Sequence, residues 1–243
     1  MPDTVTRRRI EVALRPAPLI QVSMANADEF LCDGDFGLSV GEGHFPARVI
    51  QRVTGSPYVH VIGIRKVLDL WYLIESVPPR VRVRRLDECV SEYSGLLDFY
   101  FYRLAPDLCD SEKAWDWALR AEDTPYSWRA LYRVWKDRYH AAVARGEIEP
   151  FDFAREVIRS TRNPAIIAAV SACESEPTAA RGPRPNGTYP GEVENDCSSF
   201  WREAARVNWK GPPEKLIAAK YPLDYLCVPG DFSIGTKYIC TLV

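Results

Sequence analysis

Residues 58–104 commit this chain to a sheet. Residues 58–65 are β-branched and apolar, and residues 70–77 form a second such run after a turn at Asp69. Pro78 and Pro79 punctuate, and residues 80–84 then alternate strictly. Val81 and Val83 fall on one face and Arg80, Arg82 and Arg84 on the other, the period of a half-exposed strand. Arginines in that pattern read as a solvated edge that deters further strand pairing. Residues 96–104 carry Phe99, Tyr100, Phe101 and Tyr102 in succession, which suits a central strand covered on both faces. An earlier alternation of Phe36, Leu38 and Val40 adds a strand beside Gly34 and Gly37.

Helical spacing takes over after residue 110. Residues 111–121 start with a capping residue and bring Ala114, Trp117, Ala118 and Ala121 to one side. Residues 128–144, 151–160 and 164–173 read as further helices, and residues 46–53 as a short one. Residues 174–195 form a loop dense in Pro, Gly and Glu, of a length usually reserved for function. A helix over 197–208 and a strand region over 231–243 follow. Strands and helices are segregated, so the expected class is α+β. Residues 1–27 read as an N-terminal arm, with β character at residues 10–14. Residues 28–243 form one domain carrying a helical insertion at about 128–195.

Composition narrows the function. The 243 residues are 47% apolar and 26% charged, as in an ordinary globular protein. Thirty-one Lys and Arg against 33 Asp and Glu leave a net charge of −2, with no general attraction to nucleic acid. The longest aliphatic run is the six residues 165–170, against about 20 for a membrane span. Arg7, Arg8 and Arg9 are not followed by an apolar segment, so no signal peptide is expected and the location is read as cytoplasmic. Delivery by a phage route is the alternative. Seven cysteines without a CxxC fit free thiols in a reducing compartment and give no support to a zinc site. Neither a metal nor a cofactor is expected.

Three histidines, His44, His60 and His140, make the search for an imidazole short. Cys197 follows Asn195 and Asp196 at the start of its helix, where free N–H groups and the helix dipole favour a thiolate and could receive an oxyanion. A cysteine there fits either an activated nucleophile or a buried structural thiol. His60 lies inside an apolar strand, and the next strand carries Glu75 in an otherwise apolar run. An acid in such a place needs a partner or a solvent-facing position. If the two strands pair antiparallel, Glu75 can face His60 and fix its tautomer. Cys197, His60 and Glu75 then form nucleophile, base and orienter. His44 reads as a loop residue and His140 as an exposed helical one.

Several of these segments, in this order, resemble the circularly permuted NlpC/P60 papain-like cysteine hydrolases, in particular the YiiX/YebB-like branch. Gly34-Asp35-Phe36 is similar to that family's opening strand. Residues 56–64, Ser-Pro-Tyr-Val-His-Val-Ile-Gly-Ile, are similar to its histidine strand, with Val59 in place of the usual Ser and Ile62 as an extra residue. Ile74-Glu75-Ser76 resembles the acidic strand, and residues 83–86 and 102–104 resemble later strands. Thr124-Pro125-Tyr126-Ser127 resembles a pocket turn, with Ser127 where Asp is common. Asp196-Cys197-Ser198-Ser199-Phe200 resembles the cysteine motif, with Ser199-Phe200 for Glu-Leu. The resemblance implies a permuted papain-like fold: an antiparallel sheet or small barrel packed on a nucleophile helix. It also implies catalysis by Cys197, His60 and Glu75, with substrate contacts from Tyr126, Asp35, Tyr58 and Ser198. On its own, Tyr126 fits a packing aromatic better than a pocket residue.

The implied activity is a cysteine amidase or peptidase whose substrate carries an amide or acyl group, a cell-wall peptide among the candidates. An acyltransferase or lipid-ester hydrolase resembling lecithin:retinol acyltransferase is the alternative. That branch usually has a second histidine where this chain has Glu75. A binding module that kept the fold without catalysis is the third reading, and the intact Cys, His and Glu set counts against it.

Overall fold

The structure, a computed structural model, describes residues 20–41, 51, 56–93, 97–104, 107, 109–175, 210 and 237–242. Among the described residues there are seven strands: β1 (Gln21–Val22), β2 (Phe36–Gly41), β3 (Tyr58–Val67), β4 (Leu70–Val77), β5 (Arg80–Arg85), β6 (Leu97–Arg103) and β7 (Lys237–Leu242). They form a single sheet in the order β1-β7-β6-β2-β3-β4-β5. Neighbours pair antiparallel except β1 and β7, which are parallel. The expected antiparallel sheet or small barrel is therefore corrected to a mixed sheet. A parallel pair needs a long crossover connection, and here nearly the whole domain lies between the two strands. The described end of the N-terminal arm belongs to this unit, because Val22 and Ala27 are buried in the same cluster as Ile62 and Leu242.

Alternation assigns each face its core. Leu38, Val61, Ile74, Val81, Tyr100 and Tyr102 project to one side. Helix α2 (Ser111–Arg120) covers that side with Ala114, Trp115 and Ala118. Its N-cap is Asp110, whose side chain accepts from the Lys113 N–H, one residue before the expected start. Ile62, Ile64, Leu73, Phe99 and Phe101 project to the other side, under Leu86 and Cys89 of helix α1 (Leu86–Tyr93). Residue 86 was expected in a strand; the chain instead turns into α1 directly after β5, with Asp87 and Glu88 in the first helical turn. The aromatic run of β6 lies between β7 and β2 and feeds both cores, as expected of a central strand.

The described helices after residue 127 form a third packed cluster. Helices α3 (Trp128–Ala144), α4 (Phe153–Ser160) and α5 (Pro164–Ser175) bury Leu131, Tyr132, Trp135, Val157 and Val170 together. Val59 and Tyr126 pack against this cluster, which joins it to β3. Gly37 keeps β2 within reach of its neighbours: a Cβ there would stand 2.7 Å from Ile62 Cγ1 and 3.0 Å from Phe101 Cε1. Among the described residues, no helix is long and apolar enough to cross a membrane.

Candidate functional site

The tight turn at Leu68 and Asp69 sets the register of β3 on β4, with Gly63 opposite Ile74 and Ile64 opposite Leu73. Continued along the strands, this register puts His60 and Glu75 on one face as diagonal neighbours, within reach of long side chains. His60 Nε2 lies 2.9 Å from Glu75 Oε2. The His60 side chain is 16% exposed and the carboxylate 2%. Burial pushes the Glu75 carboxyl up, but the hydrogen bond from His60 and the charges of His60 and Arg82 outweigh it. Glu75 therefore sits below its ordinary value.

A second hairpin completes the surroundings of the carboxylate. With Pro78 and Pro79 as the connection, Val77 pairs with Arg80, Ser76 with Val81 and Glu75 with Arg82. Arg82 grips Glu75 Oε1 from Nε at 2.9 Å and from Nη2 at 2.8 Å. Arg84 Nη1 is 4.0 Å from the same oxygen, and its Nη2 is bound to Glu92 of α1. β5 does end the described sheet and Arg80 is exposed, as the edge reading expects, but Arg82 and Arg84 of the same face are not simply solvated. They turn toward Glu75, and Arg82 is a member of the site that the alternation alone did not reveal. The two-residue turn held the signal, since it fixes residue 82 opposite residue 75.

The other sequence candidates are placed differently. Asp35 is fully buried, and Arg103 binds it twice, Nε to Oδ1 at 2.7 Å and Nη2 to Oδ2 at 2.8 Å. The Cys32 N–H also donates to Asp35, at 2.8 Å. The Asp35 carbonyl accepts from the Ile64 N–H, four residues or about 13 Å along β3 from His60. Its side chain ties β2 to β6 rather than joining His60. A cavity of about 440 Å³ opens beside it, lined by residues including Gly34, Arg103, Ser111 and Lys210; neither His60 nor Glu75 borders it.

Tyr58 is 1% exposed and its hydroxyl lies 2.5 Å from that of Tyr102, inside the core under α2. That core is on the face of the sheet opposite to His60. The cause is a bulge: Ser39 pairs with His60 and Val40 with Tyr58, so Val59 has no partner on β2. Tyr126 is half-buried, donates its N–H to the Pro79 carbonyl at 2.9 Å and meets Trp128 edge-on at 5.1 Å. It shares the helical cluster with Val59, the residue next to His60. Cys197 and Ser198 lie outside the described residues, as do the expected nucleophile helix, the loop 174–195 beyond residue 175, and His44.

Chemically, the described part of the site is an imidazole with a fixed tautomer. A neutral His60 that donates Nε2–H to Glu75 carries its lone pair on Nδ1, the arrangement needed to accept a proton from a nucleophile. No protein-family model matches the chain and no curated protein matches it, so a functional reading of this site rests on its own geometry.

Proposed function

We propose that this protein is a cysteine hydrolase of amide bonds, with Cys197 as nucleophile, His60 as general base and Glu75 as orienter. The observation that supports this most is the 2.9 Å contact between His60 Nε2 and a carboxylate that is 2% exposed. A buried acid is costly unless paired, and a pairing that sets one imidazole tautomer is what base catalysis requires. In this reading His60 Nδ1 takes the Cys197 thiol proton as sulfur attacks the carbonyl carbon. The imidazolium then protonates the leaving amine. Water, deprotonated by His60, hydrolyses the thioester and returns the thiol. The permuted papain-like arrangement, in which the histidine strand precedes the cysteine helix, belongs to the same proposal.

The substrate class is an amide- or acyl-bearing molecule, with a cell-wall peptide as the first candidate. The described cysteines Cys32, Cys89, Cys109, Cys173 and Cys240 are all free thiols, which fits a reducing, cytoplasmic setting. A thiol-reactive acyl probe tests the reading on the full chain. Wild type should be labelled at Cys197. Cys197→Ala should lose the label, and His60→Ala should be labelled at least about 100-fold more slowly. Equal labelling of wild type and His60→Ala would remove the base from the mechanism.

A further inference from the structure

The carboxylate of Glu75 is divided between two partners. Oε2 faces His60, and Oε1 receives both Nε and Nη2 of Arg82 at 2.9 and 2.8 Å. This division follows from the fold, because Glu75 and Arg82 are direct cross-strand partners while His60 reaches the same carboxylate from the opposite neighbouring strand. A carboxylate held only by His60 could turn about its last bond. One gripped by a guanidinium cannot turn without breaking a charge-assisted hydrogen bond from Nε and an ion pair with Nη2. We propose that Arg82 is a positioning residue: by occupying Oε1 it aims Oε2 at His60 and keeps the imidazole from being over-stabilised in its protonated form. This rests on the reading of His60 as the base.

The charges around Glu75 define the direction of the effect. From β3 comes His60, from β5 come Arg82 and Arg84, and from α1 come Cys89, Glu92 and Tyr93. Burial pushes the Cys89 thiol up to about 12 and raises the Tyr93 hydroxyl, so both are neutral near pH 7. Arg84 is engaged with Glu92 and stands 4.0 Å from Oε1, so it does not substitute for the Arg82 fork. Removing the Arg82 charge leaves an anion beside His60 that is less neutralised, and the imidazolium becomes easier to form.

The test is an NMR titration of the imidazole Cε1–H groups in the full chain carrying Cys197→Ala, which removes any thiolate at that position. Only three histidines are present, and the His60 signal is the one lost in His60→Gln. Arg82→Met and Arg82→Gln should each raise the His60 midpoint by about 0.5–1 pH unit. Arg82→Lys, which keeps the neutralising charge on Glu75 but not the fork, should stay within about 0.3 unit. Midpoints that stay put or fall in the Met and Gln variants overturn the proposal, as does a Lys variant that moves as far as the Met variant. Failure of both uncharged variants to fold while Arg82→Lys folds assigns Arg82 to structure alone. The titration needs no turnover, so a failed acyl-probe experiment overturns the hydrolase and leaves this result readable.

Discussion

Tyr58 and His60 belong to one strand, two residues apart, yet they project to opposite faces of the sheet. Regular alternation would put them on the same face. The unpaired Val59 between them reverses the sense, sending Tyr58 into the core under α2 and His60 toward Glu75. Tyr58 therefore supports the sheet from behind the site. Tyr58→Phe removes one buried hydroxyl pair and should cost about 1 kcal/mol in urea unfolding. Its rate of acyl-probe labelling should change less than twofold. A tenfold slower rate with unchanged stability would return Tyr58 to the substrate pocket.

The lowered Glu75 carboxyl has a definite signature in stability against pH. Its folded value lies below the ordinary 4.5, so its contribution is complete above that pH and is lost as pH falls through the lowered folded value. Glu75→Gln should cost about 3 kcal/mol at pH 7, because it leaves Arg82 without its buried anion. The gap between variant and wild type should shrink by pH 3. Urea midpoints measured from pH 3 to 7 check this, and a gap independent of pH would show that Glu75 acts by packing alone.

Thiol chemistry separates the cysteines. Burial pushes Cys89 up to about 12 and Cys109 and Cys240 up to about 11, so these three should resist iodoacetamide in the folded protein. Cys32 is exposed and should be open to the reagent. The proposed nucleophile, Cys197, should react faster than Cys32 at pH 7, with peptide mapping giving the order. Cys32 leading would withdraw Cys197 from its role.

Gly34 occupies a place no other residue fits. Its φ is +84°, and a Cβ there would stand 2.0 Å from Ser111 Cβ. Gly34→Ala should destabilise by about 3 kcal/mol or more. Adding Ser111→Gly removes the clash but not the backbone strain, so the penalty should fall to about 1 kcal/mol in that background. Thermal unfolding of the four proteins in this cycle gives both parts.

The sheet was legible in the sequence where alternation and turns agree. Residues 70–77 become β4 and residues 128–144 become α3 without adjustment. Helix α1 was not legible, because it follows β5 with no Gly, Pro or Asn to mark the change. Alternation also tells only which residues of β5 share a face, not what that face meets, so Arg82 and Arg84 read as solvated although the one binds Glu75 and the other Glu92 of α1. The sequence pairing of His60 with Glu75 needed only antiparallel strands. The turn-out of Tyr58 depended on an unpaired residue, and a bulge leaves no compositional trace. The resemblance had counted one extra residue in this strand, at Ile62; the bulge lies at Val59.

The outer edge of β6 is covered by β7, which is separated from it in sequence by helices α2 to α5. On the ribosome the strands β2 to β6 emerge long before residues 237–242. During that interval the edge of the most aromatic strand, Phe99 to Tyr102, has unpaired N–H and C=O groups. The nascent sheet is thus a template for pairing with other chains until its last strand arrives, and a chain cut before Lys237 would keep that template open for good.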